Sequence, residues 1–403
     1  MLSVKTPLET LDIIMAHFGA RRMDEECVPL SEALDRSLAR DVTANEFVPD
    51  FNRSTVDGYA VIAADTFGCA ESTPALISCI GEVEMGQAPK GGIAAGECMY
   101  VPTGGELPRG ADAMVMLEYV EDYGDMLGIL KSSPPGANVI FRGDDVAPGQ
   151  IVYKAGKRLA AKDIGTLAAL GCAQVYVRRK PRVAIIATGD ELVPVESSAS
   201  GATVRDVNSH ELSAGVSAVG GEAWRLGIVE DDYARLVTAI GVAVQGADVV
   251  LISGGSSVGT RDATARAIAD LGKLLLHGVA MKPGKPTIIG EIDAKPVFGL
   301  PGHPMAAYFI FHIFVRPLIA SLMGQPSEDR CIMAALECAV PSNHGREECV
   351  PVRLRRTGDG YTAVPVMGKS GLITTLCAAD GYVRIPRDAE GVSCGDIVEV
   401  WLF

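Results

Sequence analysis

Two continuous apolar runs, Arg182–Thr188 and Ala247–Ser253, most strongly limit what this chain can fold into. Neither run alternates apolar with polar residues, which is typical of strands that are buried on both faces of a parallel sheet. Segments with helical spacing lie between them, over Ser209–Val219 and from Asp231 onward. The pattern predicts a doubly wound α/β domain over about residues 178–325, in which ligands bind beyond the carboxyl ends of the strands.

The sequence changes character on either side of this domain. Residues 1–43 and 147–177 contain helical patterns, which predict a helix capped by Ser31 and a helix over Ala161–Leu170 that ends at Gly171. Residues 44–146 consist instead of short apolar runs cut by Gly and Pro. This arrangement predicts a helical N-terminal domain that is interrupted by an inserted β-rich domain. Residues 326–403 return to short β-runs, which predicts a small C-terminal β-barrel. The predicted fold class is therefore α/β plus β, in several domains, and a chain of 403 residues has room for them.

Composition and charge exclude several classes of function. The formal net charge of −14 argues against a protein that coats nucleic acid or lies on a membrane, since both need basic patches. Ten cysteines without a CxxC pair indicate reduced, mostly buried thiols. Leu8–Phe18 has the spacing of an amphipathic helix and not of a signal peptide, and the apolar run Met305–Val315 is shorter than the roughly 20 residues that a bilayer requires. We therefore expect a cytoplasmic protein.

Two glycine-containing motifs follow predicted strands. Ala187–Leu192 (ATGDEL) places polar groups where the first strand ends, and Ser253–Gly259 (SGGSSVG) follows the later one. Glycines allow backbone N–H groups to approach an anion closely, and serine hydroxyls add donors. Each motif also fits an ordinary turn, and Asp262, where the next helix begins, fits either a helix cap or a metal ligand.

The loop Met281–Pro286 (MKPGKP) carries two lysines. Its prolines stiffen the loop and Gly284 permits its turn, so Lys282 and Lys285 have restricted positions. Two fixed ammonium groups predict a site for an oxyanion or a phosphate, whereas a solvated surface loop has no need of the prolines. Leu300–Pro304 (LPGHP) precedes the closing helix, whose N-terminal amides can also receive an anion.

Asp57 and Thr103 belong to two further motifs, outside the α/β domain. Asp57 lies in Asn52–Ala60 (NRSTVDGYA) and Thr103 in Pro102–Gly105 (PTGG). Both motifs also fit ordinary turns, because Asp-Gly and Gly-Gly pairs favour them.

Taken together, these motifs resemble the molybdopterin molybdenumtransferases, the family of MoeA and the gephyrin E domain. The resemblance covers nearly the whole chain, and its order and spacing are more specific than any single motif. The segments that carry it are FNRSTVDGYAV, VPTGGELPRGADAMV, FRGDDV, ATGDEL, ISGGSSVGTRD, MKPGKP and FGLPGHP.

The resemblance implies the last step of molybdenum cofactor biosynthesis. In that family the α/β domain binds adenylated molybdopterin and molybdate together with a divalent cation, normally Mg²⁺. The phosphoanhydride is hydrolysed, AMP leaves and molybdenum enters the dithiolene. The resemblance also implies an elongated homodimer, whose cleft combines the α/β domain of one subunit with the inserted domain of the other, and a molybdopterin adenylyltransferase as a possible upstream partner.

Site residues follow from the resemblance motif by motif. Lys282 and Lys285 would bind the oxyanion, helped by Arg346 and Ser370. Glu191 and Asp262 would position the cation or the attacking water, because Mg²⁺ prefers hard oxygen ligands. Four further residues complete the predicted site: Ser257, which would donate to phosphate, and Asp57, Thr103 and Asp145, which would face the site of the partner subunit.

The sequence departs from the family at two places. The family often has Asn-Pro-Val-Ser where this chain has His303 to Ala306, so a serine donor is absent at Ala306, and His303 either substitutes for it or changes the pH dependence. Ser256 is an additional hydroxyl in the glycine loop. Both differences bear on the choice of oxyanion more than on the reaction, and molybdate and tungstate are not distinguished by the sequence.

Two other functions compete with this interpretation. A molybdopterin adenylyltransferase shares the α/β domain but lacks the inserted and C-terminal domains. A non-enzymatic scaffold would be free to lose Asp57, Glu191, Asp262 and the two lysines, all of which are present. The sequence therefore favours the enzyme.

Overall fold

The computed structural model describes residues 4–254, 258–326, 330–358, 360–368 and 371–403, and of residues 258–262 it describes only the backbone. These residues include three six-stranded sheets, which lie in the inserted region, in the α/β region and at the C-terminus. The fold class predicted from the sequence is confirmed, whereas the exact domain boundaries stay predictions.

The α/β region is built on a mixed sheet. Its first four strands in spatial order are parallel and the last two are antiparallel to their neighbours. The order is Glu222–Val229, Arg182–Thr188, Val249–Gly254, Lys295–Leu300, Ile288–Ile292 and Lys273–His277. Both apolar runs are confirmed as strands, and all residues from Val183 to Thr188 are buried, as expected where helices cover both faces of a sheet.

The strand Lys295–Leu300 is not apparent from the sequence. It pairs with Ile288–Ile292 across a two-residue turn in which Asp293 and Ala294 have φ of 51° and 59°. Positive φ at both positions is typical of a type I′ turn, which is usually marked by glycine. Because this turn carries Asp-Ala, the hairpin lacks its usual signature.

Helices cover both faces of this sheet. One face is covered by Tyr233–Gly246 and Val258–Leu271, which pack together. The other face is covered by Asn208–Ala218 and by a continuous helical segment of residues 304–322, which is formed by Pro304–Ile310, the π-helical Phe311–Val315 and Arg316–Leu322. This 19-residue segment is long and apolar enough to cross a membrane by length and composition, and 78% of its apolar window is buried within the fold. The prediction of a buried helix here is confirmed.

The N-terminal region differs from its prediction in part. The helix Pro7–Phe18 is confirmed, with a capping box in which Thr6 and Glu9 bond each other's backbone N–H groups, but Leu8 is 67% exposed and does not join the buried face. The predicted helix capped by Ser31 is wrong, since only a single 3₁₀ turn, Leu30–Glu32, forms without a side-chain cap. The segment just before that turn, Glu25–Pro29, is a strand that pairs with Gln174–Arg178, so its backbone hydrogen bonds are satisfied in a sheet.

That pairing brings distant parts of the chain together. Glu25–Pro29 pairs antiparallel with Gln174–Arg178, and Val42–Thr43 pairs with Ile151–Tyr153. The predicted helix before Gly171 is confirmed as Ala161–Ala169, where Asp163 accepts from the N–H of Ala160 at 2.8 Å. The chain between these paired segments forms the inserted region.

The inserted region is β-rich, as predicted. Its main sheet has the strand order Ala113–Met116, Gly58–Val61, Glu97–Val101, Ala75–Glu82, Leu127–Ile129 and Val120–Asp122. A separate ribbon pairs Arg53–Ser54 with Val139–Ile140.

The C-terminal region is a closed β-barrel of five strands. They are, in order around the barrel, Glu347–Thr357, Gly360–Pro365, Cys331–Leu336, Ile397–Leu402 and Gly381–Ile385, which pairs again with the first. A sixth strand, Met281–Lys282, comes from the α/β region and pairs in parallel with Glu347 and Glu348. The lysine loop is therefore attached to the barrel by backbone hydrogen bonds.

A carboxylate holds the N-terminal region against the α/β sheet. Asp248, just before a central strand, receives two hydrogen bonds of 3.0 Å from Arg179, one of 3.3 Å from Arg21 and one of 2.8 Å from the N–H of Arg182. Burial alone would raise the pKa of Asp248, but these hydrogen bonds and charges outweigh it and lower the pKa. The ionised form is therefore the one that the fold stabilises.

The prediction that the cysteine thiols are mostly buried is wrong. Only Cys98 and Cys349 are buried, two others are half-buried, and the remaining six are exposed. The thiols are therefore mostly at the surface, because Cys27, Cys79 and Cys331 are at exposed positions of strands, and Cys338 and Cys394 lie in bends or turns between strands.

Candidate functional site

The carboxyl ends of the central strands form one wall of a small cavity. Gly254 ends the strand Val249–Gly254 with φ of +156°, and a Cβ there would lie 2.0 Å from the carbonyl oxygen of Thr188. Only glycine fits this close approach between neighbouring strands. The first residues of the two motifs, as far as Gly254 in the second, therefore lie side by side at the carboxyl ends of neighbouring strands.

Asn208 connects this wall with the loop before the closing helix. Its Nδ2 donates to Ser253 Oγ at 2.7 Å and to the carbonyl oxygen of Gly302 at 2.9 Å. Asp206 accepts from the N–H of Ser209 at 3.0 Å and so caps the helix that begins at Asn208. Sequence reasoning did not identify Asp206 or Asn208, although a run of Asp and Asn before a helix is a recognisable start signal.

These groups surround a cavity of about 280 Å³. Its polar lining residues include Thr188, Glu191, Asp206, Asn208, Ser253 and His303. Ile373, from the C-terminal region, adds an apolar contact. A cavity with one apolar side and several hydrogen-bonding groups suits a flat, polar heterocycle.

The lysine loop adjoins a second, larger cavity. Gly284 has φ of +118° and is packed against the closing helix, because a Cβ there would lie 2.7 Å from Ile310 Cδ1. Its carbonyl oxygen accepts from Thr287 Oγ1 at 2.7 Å. These contacts fix the loop, and both lysine side chains remain exposed at its surface.

This second cavity has a volume of about 840 Å³ and lies between the α/β region and the barrel. Its charged lining residues, among those described, are Lys282, Lys285, Arg346 and Glu348. Three cations from two domains are thus brought together, although their predicted role in oxyanion binding stays a prediction. Glu348 was not identified from the sequence.

The Lys282 ammonium is paired with this carboxylate. Lys282 Nζ lies 2.7 Å from Glu348 Oε1, and the side chains are 53% and 15% exposed. The two residues face each other across the parallel pairing of residues 281–282 with 347–348.

His303 lies where the two cavities meet. It lines both of them, and Ala306 lines the larger one. Both changed positions of the first departure, His303 and Ala306, therefore border the site, and the second departure, Ser256, lies outside the described residues.

The predicted residues of the inserted region lie apart from these cavities. The N–H of Thr103 donates to Asp57 Oδ1 at 2.8 Å, so two motifs that are distant in sequence form one exposed cluster. Asp145 lies in the same region, where its N–H donates to the carbonyl oxygen of Val48. Within the described part of the chain, no residue of 44–146 lines either cavity.

Three predicted site residues lie outside what the structure describes. They are Ser257, Ser370 and the side chain of Asp262. Their predicted binding roles stay predictions. The alternative role of Asp262 as a helix cap is wrong, because the helix begins at Val258 and residue 262 lies within it.

The smaller cavity offers the carboxylate of Glu191 to a divalent cation. Glu191 is exposed and lines the cavity, and the neighbouring Asp190 accepts from the N–H of Asp231 at 3.0 Å. Burial, followed by the charges of Asp190 and Glu191, raises the pKa of Asp231. Among the described residues no three His, Cys, Asp or Glu side chains form a ready ligand set. Glu191 therefore fits a cation that takes its other ligands from substrate and water, as Mg²⁺ commonly does.

Three family models match almost the whole chain. They are the MoeA N-terminal region (domains I and II) over residues 5–171, a probable molybdopterin-binding domain over 184–321 and the MoeA C-terminal region (domain IV) over 333–403.

Relatives of known name match over similar lengths. The molybdopterin molybdenumtransferase of Bacillus subtilis is 30% identical over 100% of this chain and 95% of its own length. The molybdopterin molybdenumtransferase 1 of Mycobacterium tuberculosis is 31% identical over 93% of both chains. Two crystal structures of MoeA molybdopterin biosynthesis proteins from Pyrococcus horikoshii superpose with TM-scores of 0.85 and 0.87, at 38% and 32% identity, over at least 99% of each chain.

Proposed function

This chain belongs to the MoeA family of molybdopterin molybdenumtransferases, and from that premise we propose that it transfers molybdate to adenylated molybdopterin with release of AMP. The transferase assignment agrees with the names of its relatives. The observation that carries the proposal is the pair of adjoining cavities, one with hydrogen-bonding groups and the other with three cations. The reaction needs both, because a pterin and an oxyanion must meet.

We assign the pterin to the smaller cavity and the oxyanion to the larger one. Asn208 and Ser253 offer an amide and a hydroxyl that can bond the edge of a heterocycle. Lys282, Lys285 and Arg346 offer charge-assisted donors to a tetrahedral dianion. Holding the two substrates at one junction supplies the proximity that a transfer between them requires.

Magnesium is proposed as the divalent cation. Glu191, and Asp262 by its motif, would hold it beside the phosphoanhydride. When bound, such a cation neutralises charge on the phosphate oxygens. Glu191 is exposed toward the cavity, so its carboxylate is available to a ligand from that side.

We also propose a cytoplasmic homodimer with a shared cleft. The motif cluster of Asp57 and Thr103 is exposed and lies apart from both cavities of its own chain. In a dimer this cluster would be available to the site of the partner subunit. As a separate proposal, the adenylyltransferase that makes adenylated molybdopterin would act before this enzyme.

The decisive experiment follows AMP release. The protein is incubated with adenylated molybdopterin, Mg²⁺ and either molybdate or tungstate. AMP release that depends on an oxyanion supports the proposal, and its absence with both oxyanions would refute it.

The shared cleft is tested by mixing two inactive variants. Asp57→Ala and Glu191→Ala subunits are unfolded, mixed and refolded together. If each site uses residues of both chains, mixed dimers contain one intact site and recover part of the activity. Failure to recover any activity, with mixed dimers present by mass spectrometry, excludes the shared cleft.

A further inference from the structure

We infer that Glu348 lowers the affinity of the larger cavity for oxyanions, and for dianions more than for monoanions, because its carboxylate competes with the ligand for the Lys282 ammonium. This inference rests on the proposed function of that cavity. It concerns a residue that lies on the barrel and not on the lysine loop itself.

The carboxylate occupies the position of an anion beside the loop. Glu348 Oε1 lies 2.7 Å from Lys282 Nζ, within the range of a charge-assisted hydrogen bond. An oxyanion that approaches Lys282 must therefore share the ammonium with Glu348 or displace it. Both cases weaken binding relative to a cavity without the carboxylate.

Glu348 is held more firmly than its partner. Its other oxygen, Oε2, accepts from Ser342 Oγ at 2.8 Å, and its side chain is only 15% exposed. Lys282 is 53% exposed and ends a flexible four-carbon chain. The ammonium is thus the group that moves toward a ligand, while the carboxylate stays on the wall.

The charge balance explains why Glu348 weakens the binding of dianions more than that of monoanions. Lys282, Lys285 and Arg346 contribute three positive charges and Glu348 one negative charge, so the described lining has a net charge of 3 − 1 = +2. This charge equals and opposes that of molybdate or tungstate. Replacing Glu348 by a neutral residue raises it to +3, and the gain in binding should scale with the charge of the ligand.

The test compares Glu348→Gln with the wild type by calorimetry, with no pterin present. We expect molybdate to bind about tenfold more tightly to the variant, since a tenfold change is typical of one charge-assisted contact. Perrhenate, a tetrahedral monoanion, should bind only about threefold more tightly to the variant than to the wild type. Unchanged or weaker molybdate binding, or equal gains for both anions, would overturn the inference.

Glu347→Gln is the matched control. Glu347 precedes Glu348 on the same strand and is similarly buried, at 19% exposure, but it pairs with Arg384 at 2.6 Å and does not line the cavity. The control removes the same charge, but at a position that does not line the cavity. The molybdate affinity of Glu347→Gln should therefore stay at the wild-type value. An equal gain in both variants would mean that total charge, and not position, decides, which also overturns the inference.

Two additions keep the test decisive. Glu348→Ala makes the same change of charge if the glutamine variant does not fold, and Glu348→Asp, which keeps the charge, should retain the wild-type preference for dianions. AMP release by the wild type is measured separately. If the wild type releases AMP but neither neutral variant binds molybdate more tightly, only the role of Glu348 is refuted. If the neutral variants bind molybdate more tightly but the wild type releases no AMP, only the proposed function is refuted.

Discussion

The two lysines of the loop should not be equivalent, although they carry the same charge. Lys285→Ala removes one cation and lowers the net charge of the described cavity lining from +2 to +1. A charge-assisted contact is worth roughly 1.5–3 kcal/mol, so the molybdate concentration for half-maximal AMP release should rise about ten- to a hundredfold. Lys285 forms no ion pair with any described residue, so little else changes.

Lys282→Ala should have the larger effect. It lowers the net charge equally, but it also leaves Glu348 without the ammonium that lies 2.7 Å away. A carboxylate without its partner repels a dianion directly. We expect an increase in half-saturation at or above the upper end of the range for Lys285→Ala.

A double variant separates the two contributions. In Lys282→Ala with Glu348→Gln, Lys285 and Arg346 restore a net charge of +2, so half-saturation should recover by about tenfold or more relative to Lys282→Ala alone. The assay is molybdate-dependent AMP release at several salt concentrations, with thermal melts as a control for folding. Added salt should weaken the wild type more than the single variants. Unchanged half-saturation in both single variants would refute the oxyanion site.

Three further predictions concern the cation site and stability. Glu191→Ala and Asp262→Ala should abolish AMP release while molybdopterin affinity, measured by fluorescence, stays within about tenfold, or about 1.4 kcal/mol. Asp248→Ala should lower the free energy of unfolding by roughly 2–4 kcal/mol at pH 7. This loss is smaller than the largest losses seen when one partner of a fully buried ion pair is removed, because Arg179 is 39% exposed. The folded pKa of Asp248 is lowered, so its stabilisation is present above its ordinary pKa, and the difference between variant and wild type should shrink in acid. Burial raises the pKa of Glu211 to about 7, so the folded state prefers the protonated form and loses stability as pH rises from about 4.5 through 7. Denaturant melts should therefore show Glu211→Gln more stable than the wild type at pH 8, by roughly 1–3 kcal/mol, and nearly equal to it at about pH 4.

The α/β region could be predicted because the residues that indicate its strands and ligand-binding loops are neighbours in the sequence. Buried parallel strands leave continuous apolar runs, and loops that follow such strands are known sites for ligands. The lysine loop could be identified for the same reason, since its prolines and glycine are neighbours of Lys282 and Lys285.

What the sequence did not reveal depends on contacts between distant segments. Glu348 reaches Lys282 only because the barrel pairs with the lysine loop, and no local pattern marks such a pairing. The region around Ser31 carries a helix-like sequence, but Glu25–Pro29 just before it pairs in a sheet, and this tertiary contact overrides the local preference. The exposure of most cysteines likewise depends on which strand faces are covered.

The short strand Met281–Lys282 has a consequence for how such proteins can diversify. Because it pairs with residues 347–348, the barrel is joined to the α/β region by a seam of backbone hydrogen bonds and by the ion pair beside it. A barrel exchanged between relatives by recombination would carry its own residue at position 348 into a cavity whose lysines come from the other parent. Exchange of this module would thus alter ligand charge preference together with stability, so the residues on both sides of the seam are expected to be inherited as one unit.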